Sequence, residues 1–358
     1  MKEVPQKLRI KMDQLLDDKF MKNFLEGNLK TFFEGAMAIK DIRKIVYKEV
    51  RGNFDYTLVI EFEMEILFDD RKTKTKSIFC KAHSDERKNK STLYMELLYK
   101  NGFNKGLYHV PRPLTYIPEF RAGFYEGVRG HNLLYFLSQK DHEKIKTIVK
   151  DAANWIKKLH DFELKKLDHL KITASKIEDN RPPIKQVFAK MKQKFPQLYE
   201  NFFPLYVETR KYEAKFLKEL NRQEKTKLIY ADYHPENVIV PSHSQKGICV
   251  IDFTDLALGD PYRDVGTFME QVEFMARKFM PRDEAKYWKK FFLDEYIRIN
   301  NLKMTTRDYQ RINLYCLWTC LRNIIYFFYK KDPDQVIGAL LSDANIYLDK
   351  IIKKSKEL

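Results

Sequence analysis

The interpretation of this chain starts from the sequence Tyr230-Ala-Asp-Tyr-His-Pro-Glu-Asn237 and the shorter string Ile251-Asp-Phe-Thr-Asp255. Asp232 stands five residues before Asn237, and an apolar run fifteen residues further on ends at Asp252. Phosphoryl transfer from a nucleotide needs this set of groups. One carboxylate orients and deprotonates a hydroxyl, while an amide oxygen and a second carboxylate hold Mg²⁺ against the phosphates. The spacing therefore predicts phosphoryl-transfer chemistry.

The local pattern places both polar groups on one tight loop. Asp232 and Asn237 follow the predicted strand 227–230, and Pro235 between them favours a turn. The alternative is an Asp/Asn turn whose side chains only cap backbone groups. The strand 247–252 argues against that alternative, because its carboxylate emerges at a strand end, where it can meet the preceding loop.

With these residues in place, the sequence resembles the superfamily of aminoglycoside phosphotransferases and choline kinases. The string His-Gly-Asp-x-His-x-x-Asn of that superfamily corresponds to Tyr230–Asn237, with Tyr230 in place of His and Ala231 in place of Gly. The string Ile-Asp-(Trp/Phe)-x-(Asp/Glu) corresponds to Ile251–Asp255, and Gly-Asp-Pro-x-x-Asp corresponds to Gly259–Asp264. The two substituted positions, Tyr230 and Ala231, are expected to support the loop rather than to perform chemistry.

The resemblance implies a role for each matched residue. Asp232 is expected to be the base, and Asn237 and Asp252 are expected to be magnesium ligands. Asp255 is expected to be an additional or indirect metal contact, and Asp264 to brace the loop through its backbone N–H groups.

Two histidines are expected to play supporting roles. His234 lies two residues after Asp232 and is expected to shape the loop or approach the phosphate. His160 ends the predicted helix 142–162, where packing or capping is favoured over catalysis.

A lysine and a glutamate upstream complete the predicted nucleotide site. Lys81 ends a strand in which Ile78, Cys80 and Ala82 alternate with Phe79 and Lys81, and a helix carrying Glu96 follows. A kinase-like lobe uses such a lysine on the α- and β-phosphates, and a helix glutamate orients it. Glu86 is the competing candidate for the glutamate, and a solvated surface lysine is the alternative for Lys81.

The sequence gives only weak signals for the remaining nucleotide contacts. Asn53 lies in the strand–turn–strand segment 51–54, which holds a single glycine and is expected to cover the triphosphate; neither a Walker string nor Gly-x-Gly-x-x-Gly occurs. The segment 124–130 resembles the superfamily's hinge, so Glu126 and Val128 are the expected adenine contacts. An ordinary edge strand is the alternative for this segment.

The hydrophobic period changes along the chain in a way that predicts an α+β, bilobal protein-kinase-like fold. Apolar residues have helical spacing at the start of the chain, strand patterns predominate up to residue 125, and mostly helical patterns follow from residue 130. We therefore expect a small antiparallel-sheet lobe at 1–125, a hinge at 126–130 and a larger helical lobe at 131–358.

The composition excludes some classes of protein. With 44% hydrophobic and 14% aromatic residues the chain is not disordered, and no apolar run reaches the length of a membrane span. The absence of a signal-like start and the four cysteines favour a cytoplasmic protein. The charge of +16 is spread along the chain without a nucleic-acid-binding motif, so no specific nucleic-acid or membrane partner is expected.

The acceptor is poorly specified. The residues after 264 include aromatic side chains that suit either a cation site for a quaternary amine or the core, and the core is favoured: Trp288, Tyr296, Tyr315, Trp318, Tyr326 and Tyr329. The segment 265–358 has 17 Lys and Arg against 12 Asp and Glu, which argues mildly against a polycationic acceptor.

The leading hypothesis is a small-molecule kinase. It would transfer the γ-phosphoryl group of ATP or GTP to a small alcohol with Mg²⁺ as cofactor, and act as a monomer or homodimer. The alternative is a catalytically silent, nucleotide-binding scaffold. A protein kinase is disfavoured, because no activation segment of useful length follows Asp252.

Overall fold

The chain forms two compact units. One comprises Met1–Gly130 with Ile239–Thr254, and the other His131–Val238 with Asp255–Leu358. The predicted division kept all of 131–358 together, whereas the segment 239–254, which leads to Asp252, packs within the first unit. The computed structural model describes residues 3–167, 172, 174–179, 182–223, 225–242, 247–329 and 334–354.

The helices and strands follow the predicted order. Up to residue 132 they are α1 (Gln6–Asp13), α2 (Asp18–Phe32), β1 (Ala36–Arg51), β2 (Tyr56–Phe68), β3 (Thr73–His83), α3 (Glu86–Leu98), β4 (Tyr108–His109), β5 (Pro113–Ile117), β6 (Ala122–Glu126) and β7 (Gly130–Asn132). They continue with α4 (Leu133–Gln139), α5 (His142–His160), α6 (Ile184–Lys194), α7 (Pro196–Arg222), β8 (Lys227–Ile229), β9 (Val238–Pro241), β10 (Ile248–Val250), β11 (Ala257–Gly259), α8 (Tyr262–Ala276), α9 (Arg282–Asn300), α10 (Thr306–Phe328) and α11 (Asp334–Ile352).

The first unit is built on a five-stranded antiparallel sheet in the order β1-β2-β3-β6-β5. The alternation predicted for β3 is confirmed: Ile78, Cys80 and Ala82 are buried on one face, and Phe79 and Lys81 point the other way. The buried face joins one apolar core with α1 and α2, which contribute residues such as Met12 and Leu25. The opposite face therefore keeps a lysine near solvent.

A short parallel pair connects Asp252 to this unit. In β10, Ile248 and Cys249 pair with Tyr108 and His109 of β4. All three residues of β10 are buried, so the strand is fixed and the chain leaves it directly before Asp252.

The second unit is helical around α8 and α10, whose side chains are mostly buried. The predicted helix 142–162 is observed as α5, capped by the Asp141 side chain accepting from the Lys144 N–H at 3.1 Å. Cys316 and Cys320 lie one turn apart in α10, and both thiols are buried and free. Within the described residues, no helix has the length and apolar character needed to cross a membrane.

A buried ionic network joins α8, α9 and α11. The Lys289 ammonium lies 2.8 Å from both Glu270 and Glu273, and it also contacts the Tyr347 hydroxyl. Burial opposes the positive charge, but Glu270 and the other neighbours outweigh this effect and raise the pKa of Lys289 well above its ordinary value. Because each charge is compensated, the network fixes the relative positions of these helices.

Candidate active site

The 230–237 loop begins where a two-stranded pair ends. Ile229 of β8 pairs with Ala257 of β11. The Asp264 carboxylate then accepts the N–H of Tyr230 at 2.8 Å and the N–H of Ala231 at 2.7 Å. Asp264 is fully buried in the first turn of α8. The predicted bracing of the loop by Asp264 is thereby confirmed.

Ala231 explains one departure from the superfamily string. Its φ of 67° lies in the left-handed region, where a glycine carries no penalty from a Cβ atom. The loop thus keeps the backbone conformation that a glycine would permit, with an alanine in it. The acceptor supplied by Asp264 offsets part of this strain, because it fixes the N–H of the strained residue.

His160 supports the loop from behind. Its Nε2 atom lies 3.0 Å from the Asp264 carboxylate, and its Nδ1 atom lies 2.9 Å from the Tyr296 hydroxyl. A carboxylate only accepts, so Nε2 carries a proton and donates to Asp264. His160 is buried, and its predicted packing role is confirmed.

Aromatic packing holds the middle of the loop. The Tyr233 ring is nearly parallel to Trp155, at 5.7 Å between centroids, and to Phe268, at 4.6 Å. Its hydroxyl donates to the Ala152 carbonyl at 3.0 Å. Burial raises the pKa of Tyr233 well above its ordinary value, so the hydroxyl stays protonated. This residue separates Asp232 from His234 and anchors both.

The end of the loop orients the Asn237 side chain. Its Nδ2 atom lies 3.0 Å from His234 Nε2 and donates to the Asp232 carbonyl at 3.4 Å. Because an amide NH₂ only donates, His234 Nε2 is the acceptor and Asn237 Oδ1 is the atom left for other partners. This geometry gives His234 an orienting contact with Asn237.

The Asp232 carboxylate has a partner that the sequence did not predict. The Arg322 guanidinium donates from Nη2 to Asp232 Oδ1 at 2.8 Å, and its Nη1 lies 3.5 Å from the Ala231 carbonyl. Arg322 and Asn323 interrupt the apolar run of α10 between Leu321 and Ile324, and this is the sequence signal that could have drawn attention to Arg322.

Asp255 is exposed and contributes to the field around Arg322. Burial disfavours the charged guanidinium, but the carboxylates of Asp232 and Asp255 outweigh this and raise the pKa of Arg322. The role of Asp255 as a metal contact remains a prediction.

In the first unit, Lys81 and Asp252 form a direct ion pair. Lys81 Nζ lies 2.7 Å from Asp252 Oδ1 and 3.0 Å from the Thr254 hydroxyl, which itself donates to Oδ1 at 2.5 Å. Burial opposes the charge on Asp252, but Lys81 and Thr254 outweigh it and hold the pKa of this carboxyl far below its usual range. The bonds from Lys81 and Thr254 to this carboxylate engage Oδ1, and the role of Asp252 as a metal ligand remains a prediction.

The expected ion pair between Lys81 and Glu96 is not formed. Glu96 contacts Lys100 at 2.5 Å, one turn further along the chain, while the Lys81 ammonium is held by Asp252 and Thr254. The Asp252 carboxylate and the Thr254 hydroxyl thus provide the contacts that Glu96 was expected to supply. The alternative candidate Glu86 has a side chain outside the described residues.

The structure also locates the other nucleotide-site candidates. Asn53 is exposed in the β1–β2 turn, and its carbonyl accepts the Val4 N–H at 2.8 Å. The Glu126 side chain is bound by Lys76 at 2.8 Å and Arg112 at 2.9 Å. Its N–H donates to the Arg112 carbonyl, so only its own carbonyl is a candidate for adenine. Val128 is half-buried beyond the end of β6.

Most of the aromatic side chains considered for a cation site belong to the core, which is the alternative that their helical spacing favoured. Trp288, Tyr296, Tyr315 and Trp318 are buried, whereas Tyr326 and Tyr329 are exposed. A box for a quaternary ammonium needs exposed ring faces around one cavity. The buried rings therefore serve the packing of α9 and α10.

Comparison with known proteins agrees with this architecture. No curated protein matches the sequence. Among solved structures, the ADP-bound aminoglycoside phosphotransferase APH(2'')-Ib is 16% identical with a TM-score of 0.52, covering 92% of this chain and 99% of its own. Amicoumacin kinase hAmiN is 12% identical with a TM-score of 0.54 and 96% coverage of both chains. A microcompartment-associated aminopropanol kinase is 13% identical with a TM-score of 0.53, covering 93% and 98%.

These likenesses confirm the predicted kinase-like α+β fold. Residues 78–294, more than half of the chain, match the phosphotransferase enzyme family. The matched segment contains Lys81, the 230–237 loop and Asp252. The chain therefore belongs to the phosphotransferase enzyme family and is a phosphotransferase.

Proposed function

We propose that this protein transfers the γ-phosphoryl group of ATP, or of GTP, to a hydroxyl of a small molecule. The observation that carries the proposal is the orientation of the 230–237 loop. Asp264 fixes the backbone on one side of Asp232, and His234 fixes Asn237 on the other. A carboxylate for the hydroxyl and an amide oxygen for a metal ion are therefore presented from one rigid segment.

The donor set fits a magnesium ion held together with nucleotide phosphates. The described residues contain no cluster of three His, Cys, Asp or Glu side chains that would form an all-protein metal cage. Mg²⁺ in kinases is instead bound by one or two carboxylates and substrate phosphates, which suits Asn237 Oδ1 and Asp252 Oδ2, with Asp255 as a further contact. Bound there, the ion neutralises charge on the phosphates. Neighbouring structures containing ADP, or AMP-PNP with Ca²⁺, support a nucleotide and a divalent ion.

The remaining residues of the proposed site have positioning roles. Lys81 binds the α- and β-phosphates and Asp232 aligns the acceptor hydroxyl for in-line attack. We propose that Glu96 supports Lys81 when the nucleotide is bound, that Asn53 contacts the phosphates, and that the backbone at Glu126 and Val128 binds adenine. Positioning and electrostatic stabilisation supply most of the rate enhancement. The buried free thiols and the use of nucleotide agree with a cytoplasmic location.

Steady-state kinetics and nucleotide binding test the proposal together. Wild-type protein is expected to consume ATP or GTP in a Mg²⁺-dependent manner when alcohols, amino alcohols, sugars and aminoglycosides are screened as acceptors. Asp232→Asn should lower turnover about 10²- to 10⁴-fold while still binding nucleotide. Asp252→Asn should lose Mg²⁺-dependent nucleotide binding.

The exposed Asp161 provides the matched control, since Asp161→Asn removes a carboxylate of the same unit away from the loop. Nucleotide binding without turnover in the wild type, with Asp232→Asn indistinguishable from it, would instead establish the silent scaffold.

A further inference from the structure

Arg322 lies directly beside the proposed base, Asp232. The two side chains form a direct ion pair and are both partly exposed, Arg322 by 26% and Asp232 by 30%. They are separated by 90 residues in the sequence, so α10 packs beside the 230–237 loop to bring them together. The guanidinium is therefore close enough to the proposed base to contact a group that binds there.

A guanidinium in this place restricts the chemistry of the acceptor. A hydroxyl in contact with Asp232 lies within about 3 Å of the carboxylate. The groups attached to that hydroxyl then come within roughly 5 Å of Arg322. At that distance and an effective dielectric constant of about 20, the charge of Arg322 alone would favour an anionic over a cationic substituent by roughly 10⁵-fold. The Asp232 carboxylate opposes this preference, so we expect about a hundredfold to remain. A cationic substituent is disfavoured, and one with oxygen acceptors is favoured.

The donor inventory of Arg322 supports the same conclusion. A guanidinium carries five N–H donors and no acceptor. Within the described part of the chain, it uses one terminal nitrogen on Asp232 and the other near the Ala231 carbonyl. The remaining N–H groups match the fork geometry of a carboxylate or phosphate. An ammonium group has no hydrogen-bond acceptor for these N–H groups.

Further positive charge lies along the same face of α10. Tyr326 and Tyr329 follow Arg322 by four and seven residues, so they share its face of the helix, and both are exposed. The Lys190 ammonium lies 4.0 Å from the Tyr329 ring centroid. This face offers aromatic surface and cations, in keeping with the excess of Lys and Arg over residues 265–358.

We propose that Arg322 is a specificity-determining residue and that the acceptor carries an anionic group, a carboxylate or phosphate, close to the hydroxyl that is phosphorylated. The inference rests on the proposed function, because it assigns the acceptor class of the same site. In the complex, the guanidinium shares its donors between Asp232 and the anionic group of the acceptor. It thereby orients the hydroxyl toward the base.

A series of acceptors that differ mainly in charge tests the inference. Glycerate and glycerol 3-phosphate are anionic, glycerol is neutral and 3-amino-1,2-propanediol is cationic. The series is extended with larger hydroxy acids, each paired with its amino alcohol. The expected kcat/KM of the anionic member exceeds that of its cationic partner about a hundredfold, and the two anionic arms distinguish carboxylate from phosphate. A ratio near one, including the absence of turnover for both members of every pair, overturns the inference.

Variants separate specificity from other roles of Arg322. Arg322→Gln is expected to bring the anionic-to-cationic ratio to within tenfold of unity, mainly through KM for the acids, and Arg322→Glu is expected to reverse it. Arg298→Gln removes the same charge from an exposed site on α9 and should leave the ratio unchanged. An equal fall in kcat for all acceptors at constant KM would overturn the inference and indicate an effect on Asp232 itself.

A failure of the proposed function has a different signature. The loss of Mg²⁺-dependent nucleotide binding on Lys81→Met tests the nucleotide site without any acceptor. If wild-type protein binds nucleotide no better than Lys81→Met, the proposed function fails; if it binds and the charge ratio is near one, only the acceptor assignment fails.

Discussion

Replacing Asp264 with alanine is expected to be the most damaging single change near the 230–237 loop. Asp264 accepts the N–H groups of Tyr230 and Ala231 and a third bond from His160. Hydrogen bonds to a charged group contribute about 1.5–3 kcal/mol each, so together these three bonds contribute roughly 5–9 kcal/mol. Removing the buried carboxylate also removes its desolvation penalty, which leaves a net loss of about 3–5 kcal/mol in the free energy of unfolding.

Urea denaturation followed by tryptophan fluorescence measures this loss. Trp155, Trp288 and Trp318 all belong to the second unit, so the signal reports the unit that contains Asp264. With a slope of about 2 kcal/mol per molar urea, the midpoint should fall by roughly 2 M. Turnover should fall at least about a hundredfold in the protein that remains folded, because Asp232 is displaced with the loop.

Two variants make the experiment specific. Asp264→Asn preserves the shape but presents an NH₂ group to N–H donors, so it should lose much of the same stability without creating a cavity. Asp161→Ala, on the exposed end of α5, should change the free energy of unfolding by no more than about 0.5 kcal/mol. If Asp264→Ala lowers stability by less than about 1 kcal/mol and leaves turnover intact, the carboxylate does not hold the loop.

Three further changes have defined outcomes. The pKa of Asp252 is lowered in the folded state, so its ion pair with Lys81 stabilises the protein fully above about pH 4, and this stabilisation is lost as the pH falls further. The difference in Tm between wild type and Lys81→Met should therefore become smaller from pH 7 to pH 3. A difference that becomes larger would contradict the pairing. Lys289→Met leaves the buried Glu270 without its cation, whereas Glu273 keeps Arg277, and should cost about 3–5 kcal/mol in chemical denaturation. A neutral effect would show that Glu270 is already protonated. Ala231→Gly relieves the strain of a left-handed φ, about 1–2 kcal/mol, but the glycine also raises the conformational entropy of the unfolded chain, which costs about 0.4–1 kcal/mol. The free energy of unfolding should therefore rise slightly. A decrease of more than about 1 kcal/mol would rule out strain at this residue.

Most of the fold was predictable because it depends on local patterns. The alternation of Ile78, Cys80 and Ala82 predicted the inner face of β3, and the helical spacing at 142–162 predicted α5. Periodicity does not report which unit receives a segment. The assignment of 239–254 to the first unit follows from the pairing of β10 with β4, more than 130 residues earlier in the chain.

The sequence by itself determined the candidate residues for phosphoryl transfer, because Asp232, Asn237 and Asp252 stand at characteristic spacings around short strands. The tertiary structure alone decided the partners of those groups. Lys81 meets Asp252 across 171 residues and Asp232 meets Arg322 across 90. Such pairs depend on how strands and helices pack, and a charged side chain takes whichever compensating group the packing brings within hydrogen-bond distance. For the same reason Glu96 pairs with Lys100, and an arginine lies beside the proposed base. The spacing of residues in the sequence does not predict either contact.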